Sequence, residues 1–256
     1  MKNRQRMLLL VLLWLLPAYM SMALEIHTNA EAVNIAGKQR MYTMRMLRDY
    51  IMIGEGLKYK NPEKDLNKTI EAFSEAGKAL EGYIKDPTLK EEVKKVHQIW
   101  LTSRKMFSMP PKKEQALKHA KEAIAFRKKL NEFVTHLAAH YGGGAAEVVN
   151  TSGKLRAVSQ SLAAFYLLKS WDIPEADMML KKPMQNFRDA LDYLEKAPQT
   201  TADMQPLLKK LEKIYLFFQV MDEASSTSTP VLAVKKTDQM LKVANELTEK
   251  YVKSQK

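Results

Sequence analysis

The chain lacks cysteine, and it has only nine glycines in 256 residues. Without cysteine, no disulfide can support the fold. Scarce glycine and the absence of alternating β-branched runs argue against a β-sheet protein. Beyond the N-terminus, no stretch approaches the ~18 consecutive apolar residues of a transmembrane helix. We therefore expect an all-α protein whose mature part does not span a membrane.

Catalytic signatures are missing as well. The sequence has no glycine-rich phosphate loop after a strand, no HExxH motif and no CxxCH motif. Its carboxylates are spread along helix faces at the i, i+4 spacing of ordinary surface ion pairs. We predict a protein that is not an enzyme and that carries no catalytic residues, no resident metal ion and no cofactor.

The first 23 residues are typical of a secretory signal. Lys2, Arg4 and Arg6 precede an unbroken apolar run of nine residues, 8–16, which is too short to span a bilayer. Small residues at Ser21 and Ala23 predict cleavage after Ala23, and an uncleaved anchor is the alternative. Export without cysteine suits a bacterial periplasm at least as well as an extracellular medium, and we predict a periplasmic protein.

The charge balance is strongly basic, with a formal net charge of +12. An exported basic protein meets small anions, acidic proteins and anionic membrane surfaces, so we expect partners of these kinds and no nucleic acid. The alternative is that these lysines, with the glutamates, form an ordinary solvated surface.

The chain contains an internal repeat. Residues 31–40 read EAVNIAGKQR and residues 147–156 read EVVNTSGKLR, so six of ten positions match at an offset of 116. Residues 94–101 likewise match 209–216 at an offset of 115. Three further residues match at an offset of 114: Lys128, Asn131 and Glu132 with Lys242, Asn245 and Glu246. The pattern indicates a duplicated structural unit.

Helical periodicity predicts four helices in each copy, separated by short connections that contain proline or glycine. Short connections make consecutive helices antiparallel, so the fold is predicted to be two tandem antiparallel four-helix bundles that arose by duplication. The predicted domains are a signal peptide at 1–23, a first bundle at 24–141 and a second bundle at 145–256. The predicted helices are 29–58, 63–84, 88–107 and 112–140, then 145–171, 175–196, 202–223 and 231–253.

An arginine interrupts the apolar stripe of the first helix in both copies. Arg40 follows Gly37 in a stripe that also holds Val33, Ala36, Met44, Leu47 and Ile51, and Arg156 follows Gly153 at the equivalent place. A buried guanidinium must find an acceptor, because an unpaired buried charge costs several kcal/mol. The acceptor is either a carboxylate of the bundle, water at its rim or a bound anion.

The two copies differ next to this arginine. Arg45 and Arg48 of the first copy are replaced by Ser161 and Ala164 in the second. Any site that the two copies share is therefore expected to be asymmetric.

The sequence around Arg40 resembles a known motif. NIAGKQRMYTMRM is similar to the start of two related sensor domains, the N-terminal domain of type IV pili methyl-accepting chemotaxis transducers and the periplasmic domain of nitrate- and nitrite-sensing histidine kinases. Six residues of the first copy carry the resemblance: Asn34, Ala36, Gly37, Arg40, Met41 and Arg45. The second copy keeps Asn150, Gly153 and Arg156.

The resemblance implies a four-helix bundle and, from the nitrate sensors, an oxyanion held by the first arginine of the motif from two symmetric helices at a dimer interface. That role falls on Arg40 and, through the repeat, on Arg156. The predicted site also includes Asn34, Gly37, Asn150 and Gly153, with Arg45, Lys38 and Lys154 as possible additional contacts. The predicted ligand is a small anion of the nitrate or nitrite class.

The predicted partner is a membrane-bound sensor kinase or chemoreceptor, because we find no transmembrane span or signalling module after the repeats. A homodimer is possible, since the two copies could pair within one chain or between chains.

Two other functions remain open from the sequence. The first is a helical interaction protein of the cell envelope that binds no ligand. The second is a copper protein, because Met41, Met44 and Met46 form an M-x-x-M-x-M cluster of soft thioether ligands. Met residues at helical spacing also fill apolar cores, and the pair His136 and His140 offers no third metal ligand.

Overall fold

The computed structural model describes residues 24–141, 143–223 and 230–254, with no account of the side chains of 143–145 and 221–223. The predicted signal peptide at 1–23 lies outside the described residues, as does Gly142. The described part is all-helical, which confirms the predicted fold class. Its helices are α1 (Asn29–Gly54), α2 (Pro62–Tyr83), α3 (Pro87–Phe107), α4 (Lys113–Tyr141), α5 (Gly143–Ser170), α6 (Ala176–Lys196), α7 (Gln205–Glu223) and α8 (Pro230–Lys253). No helix among the described residues is both long and apolar enough to cross a membrane.

Helix starts follow local capping chemistry. The side chains of Thr28, Asn61 and Asp86 accept hydrogen bonds from backbone N–H groups in the first turns of α1, α2 and α3. Pro62 and Pro87 occupy the first helical position, where a missing N–H group costs nothing. Asn61-Pro62 and Asp86-Pro87 therefore mark the starts of α2 and α3, as the sequence predicts.

The first helix ends earlier than predicted. α1 stops at Gly54, whereas periodicity predicts a helix to residue 58. The reason is a turn in which Gly56 adopts a positive φ of 65° and Lys60 a φ of 56°. Left-handed residues cannot continue a right-handed helix.

The two sequence copies have the same packing pattern. In the first copy α1 packs against α2 and α4, and in the second copy α5 packs against α6 and α8. The most extensive helix–helix contact of the described residues joins the two copies, because α1 packs along α5. One apolar core cluster consequently contains residues of both copies.

The sequence left open whether the copies pair within one chain or between chains. In the structure they pair within one chain, so α1 and α5 form the central pair and the other helices surround them. The domain limits at 24–141 and 145–256 stay a prediction. What matters for function is that the two arginine-bearing stripes face each other.

The far end of the central pair provides a test of its packing. A methyl group on Gly54 would lie 2.9 Å from Cζ2 of Trp171, at the end of α5, and 3.0 Å from Cβ of Pro111. Gly54→Ala should therefore lower the free energy of unfolding by about 1–3 kcal/mol through overpacking. Chemical denaturation of the purified variant measures this change.

Gly82→Ala is the matched control, because a methyl group there meets no atom within 4 Å. It should leave stability unchanged or raise it by up to about 1 kcal/mol through helix propensity. Equal stability of the two variants would contradict the close packing of α1 against the end of α5.

Candidate anion-binding site

The two buried arginines meet where α1 and α5 pack together. Arg40 and Arg156 are each only 1% exposed. A Cβ atom on Gly37 would lie 3.3 Å from Nη2 of both arginines, and a Cβ on Gly153 would lie 3.2 Å from the same two atoms. The two guanidinium groups thus occupy the space that the missing side chains of the two glycines leave open.

Arg40 is held by three hydrogen bonds. Its Nη1 donates to Oδ1 of Asn131 on α4 at 2.9 Å and to Oδ1 of Asn150 on α5 at 2.8 Å. Its Nη2 donates to the backbone oxygen of Asn150 at 3.1 Å. All three acceptors are neutral, so they orient the guanidinium without cancelling its charge.

Arg156 repeats only part of this arrangement. Its Nη2 donates to the backbone oxygen of Asn34 at 3.4 Å, which mirrors the bond from Arg40 to the backbone of Asn150. The side-chain bond is not mirrored, because Oδ1 of Asn34 is buried without a hydrogen-bond partner in the structure. The Nε atoms of both arginines are also buried and unpartnered. The site is therefore asymmetric, with donors left free on both guanidiniums.

No carboxylate forms a close ion pair with either arginine, although the charge of Glu249 attracts Arg156 from a greater distance. Among the described residues, neither Arg40 nor Arg156 forms an ion pair within 4 Å, so the carboxylate alternative left open by the sequence is not what the structure contains. Burial, and after it the charge of Arg156, lowers the pKa of Arg40 to about 9. Burial lowers the pKa of Arg156 to about 10. Both pKa values stay above neutral, so two like charges face each other at pH 7.

Lys38 and Lys154 lie beside this pair, one from each copy. Burial lowers the pKa of Lys38, and the charge of Arg156 lowers it further. Burial and then the charge of Arg40 do the same to Lys154. Each lysine thus lies close enough to the arginine of the other copy to be affected by its charge, and each is also attracted by one carboxylate, Lys38 by Glu249 and Lys154 by Glu147.

Arg45 has a different partner. Its Nε lies 3.9 Å from Oδ2 of Asp49, one turn further along α1. The structure thus places this possible contact in an ion pair rather than with the two central arginines.

Arg48 belongs to a separate buried network. It donates to Asp49 of its own helix, to Gln160 of α5 and to Asp238 of α8, each at 2.8 Å. Burial lowers the pKa of Arg48, but attraction to the two aspartates outweighs burial, so its pKa is raised. Burial raises the pKa of Asp49 to about 6 despite that attraction. This network has carboxylates where the Arg40 and Arg156 pair has none.

Sequence reasoning missed two residues of α4. Asn131 bonds to Arg40, and Arg127 lines the same region half-buried, with an unpartnered Nε. The repeat of Asn131 as Asn245 was a usable signal, since a polar residue kept in both copies of a core-facing helix needs a reason. Nothing in the sequence distinguished Arg127 from the other basic residues of α4.

The methionine cluster does not converge on one point. Met44 and Met46 are fully buried in the main core, whereas Met41 packs in a small cluster with Ala157 and Leu241. Both observations agree with core filling. Among the described residues no group of His, Asp and Glu is arranged to hold a metal ion, and His136 contacts Glu92 at 2.9 Å.

One known protein family matches part of the chain. Residues 25–126 match the family model of the type IV pili methyl-accepting chemotaxis transducer N-terminal domain, PilJ. No curated protein and no solved structure matches the chain. The matched segment includes α1 with Gly37 and Arg40 and most of the first copy, and it ends before Asn131. Residues 25–126 are thus similar to the N-terminal domain of a chemotaxis transducer, which supports a role in sensing or signalling.

Proposed function

We propose that the protein binds one small oxyanion of the nitrate or nitrite class between Arg40 and Arg156, and that it reports this occupancy to a separate membrane-bound sensor kinase or chemoreceptor from the periplasm. The observation that carries the proposal is the pair of buried guanidiniums without a carboxylate. Two like charges this deep in a core are unfavourable, and a bound anion would remove the penalty.

The chemistry of the pair suits an oxyanion. A guanidinium presents its N–H donors in a rigid plane that matches the oxygen spacing of planar and tetrahedral anions. Arg40 uses three of its donors on Asn131 and Asn150, and the structure shows one longer bond from Arg156. Donors remain unused on both guanidiniums, including the two buried Nε atoms, and the Nη2 atoms lie beside Gly37 and Gly153, so we expect a small ligand rather than a large one.

The site needs only one chain. α1 supplies Gly37 and Arg40, and α5 supplies Gly153 and Arg156, so the two repeats take the places that two subunits hold in the nitrate sensors to which the motif is similar. A homodimer is therefore compatible with this proposal but not required by it.

Binding has a physical route to a partner. An anion that draws the two guanidiniums together stabilises the α1–α5 contact, which is the centre of the molecule. Helices that pack on this pair would then differ in mobility between the free and bound states. The similarity of residues 25–126 to a transducer domain supports a receptor of the chemotaxis type as the reader of that difference.

The first prediction from this proposed function concerns ligand-induced stabilisation. Nitrate should raise the melting temperature of the purified protein in a saturable manner, because it binds the folded state alone; at 100 times the dissociation constant the gain is about 2.7 kcal/mol. Chloride at equal ionic strength controls for screening. Differential scanning calorimetry measures both. The same curve for nitrate and chloride would contradict the proposal and favour the ligand-independent interaction protein.

The second prediction separates the two arginines. Arg156→Met keeps most of the side-chain volume and removes one of the two like charges, at the loss of a 3.4 Å hydrogen bond and of the attraction to Tyr42 and Glu249. It should raise the free energy of unfolding without nitrate by about 1–4 kcal/mol. It should also abolish the effect of nitrate.

Arg40→Met should be less stable than Arg156→Met, because it leaves the side chains of Asn131 and Asn150 without their donor. Arg104→Met, on the exposed side of α3, controls for the lost charge and should change neither stability nor the nitrate response. A large loss of stability in Arg156→Met would show that a structural partner, not a ligand, holds this arginine.

A further inference from the structure

A cleft opens beside Arg40, and Arg156 is not among the residues that line it. It has a volume of ≈ 570 Å³ and lies between α4, α5 and α6. Ile124 and Val158 contribute apolar surface to its wall, and Asn186 and Thr151 contribute neutral polar groups. This volume is in the range of small-molecule sites and exceeds what a nitrate ion fills.

The cleft wall is rich in positive charge. Five cationic side chains line it: Arg40, Arg127, Lys128, Lys154 and Lys182. None of them forms an ion pair with a carboxylate within 4 Å among the described residues. Burial lowers the pKa of Arg127, and its Nε is buried without a partner. These cations are therefore held together without neutralisation.

The two carboxylates of the wall have neutral partners. Asp189 accepts a hydrogen bond from Nε2 of Gln185 at 2.7 Å. Glu147 forms a hydrogen bond with the side chain of Tyr193. Neither carboxylate forms an ion pair within 4 Å, although the charge of Glu147 attracts Lys154. With five cations and two carboxylates in its wall, the cleft keeps a net positive charge that favours a divalent anion over a monovalent one.

The second copy lacks the feature at the equivalent place. With the offset of 114 that relates Lys128 to Lys242, Arg127 corresponds to Leu241. Leu241 packs with Met41 and Ala157 in a small apolar cluster. Next to the central helix pair, the second copy thus places an apolar leucine where the first copy has an arginine at the edge of a basic cleft.

We propose that this cleft is a second anion site, selective for a divalent oxyanion of the phosphate or sulfate type, with Arg127, Lys154 and Lys182 as its main contacts. The group is either a free inorganic ion or the head of a larger molecule whose body lies on the apolar wall. The site does not require nitrate between Arg40 and Arg156, so either proposal can fail without the other.

Isothermal titration calorimetry at constant ionic strength tests this proposal with inorganic phosphate, sulfate and glycerol 3-phosphate as probes. Arg127→Leu installs the side chain that the chain itself uses at the equivalent position, so the variant should fold. It should bind phosphate about tenfold more weakly than the unmodified protein, as expected for the loss of a charge-assisted hydrogen bond. Tighter binding of glycerol 3-phosphate than of phosphate would identify an organic ligand, and equal binding a free ion; both support the site.

Matched variants make the result specific. Lys182→Glu changes an exposed residue of the wall and should weaken phosphate binding without affecting stability. Arg104→Leu carries the same substitution as Arg127→Leu on an exposed part of α3 and should leave binding unchanged. Arg156→Met should abolish the response to nitrate but not the binding of phosphate. Phosphate binding that is unaffected by both Arg127→Leu and Lys182→Glu, or that falls equally in Arg104→Leu, would overturn the proposal.

Discussion

Two positive charges buried side by side are the constraint on which the rest of this molecule depends. Arg40 and Arg156 are almost fully buried, face each other across the α1–α5 contact and have no carboxylate within 4 Å among the described residues. Burial opposes the charge of both arginines, and the charge of Arg156 adds repulsion at Arg40, as the lowered pKa values show. A fold that keeps it must offset the cost elsewhere, and it does so with a continuous apolar core that contains residues of both repeats.

The surrounding residues are consistent with this constraint. Gly37 and Gly153 leave room for two guanidiniums where two side chains would otherwise meet. Asn131 and Asn150 orient Arg40 with neutral oxygens, so they fix its direction and preserve its charge. The buried Arg48 network shows the contrast, because the same chain supplies Asp49 and Asp238 where a guanidinium is to be neutralised. The lack of a close carboxylate is therefore specific to the central arginine pair. It is consistent with a ligand that completes the site.

Much of the fold and part of the site could be predicted from the sequence. The helices follow from periodicity and from caps such as Asn61 and Asp86, and the burial of Arg40 follows from its place in an apolar stripe. The end of α1 could not be predicted, since periodicity does not report the positive φ of Gly56. The roles of Asn131 and Arg127 depend on how α4 packs against α1 and α5, which local pattern does not specify. The pairing of Arg45 with Asp49 likewise depends on side-chain direction.

The most direct test of the account is a crystal structure of the protein grown in nitrate. We expect one planar anion per chain, within hydrogen-bond distance of Nη2 of both Arg40 and Arg156, with Gly37 and Gly153 on either side of it. The site would then be completed within a single chain by the two repeats. A structure in which the two guanidiniums instead pair with carboxylates, or in which nitrate binds only away from them, would contradict the central claim.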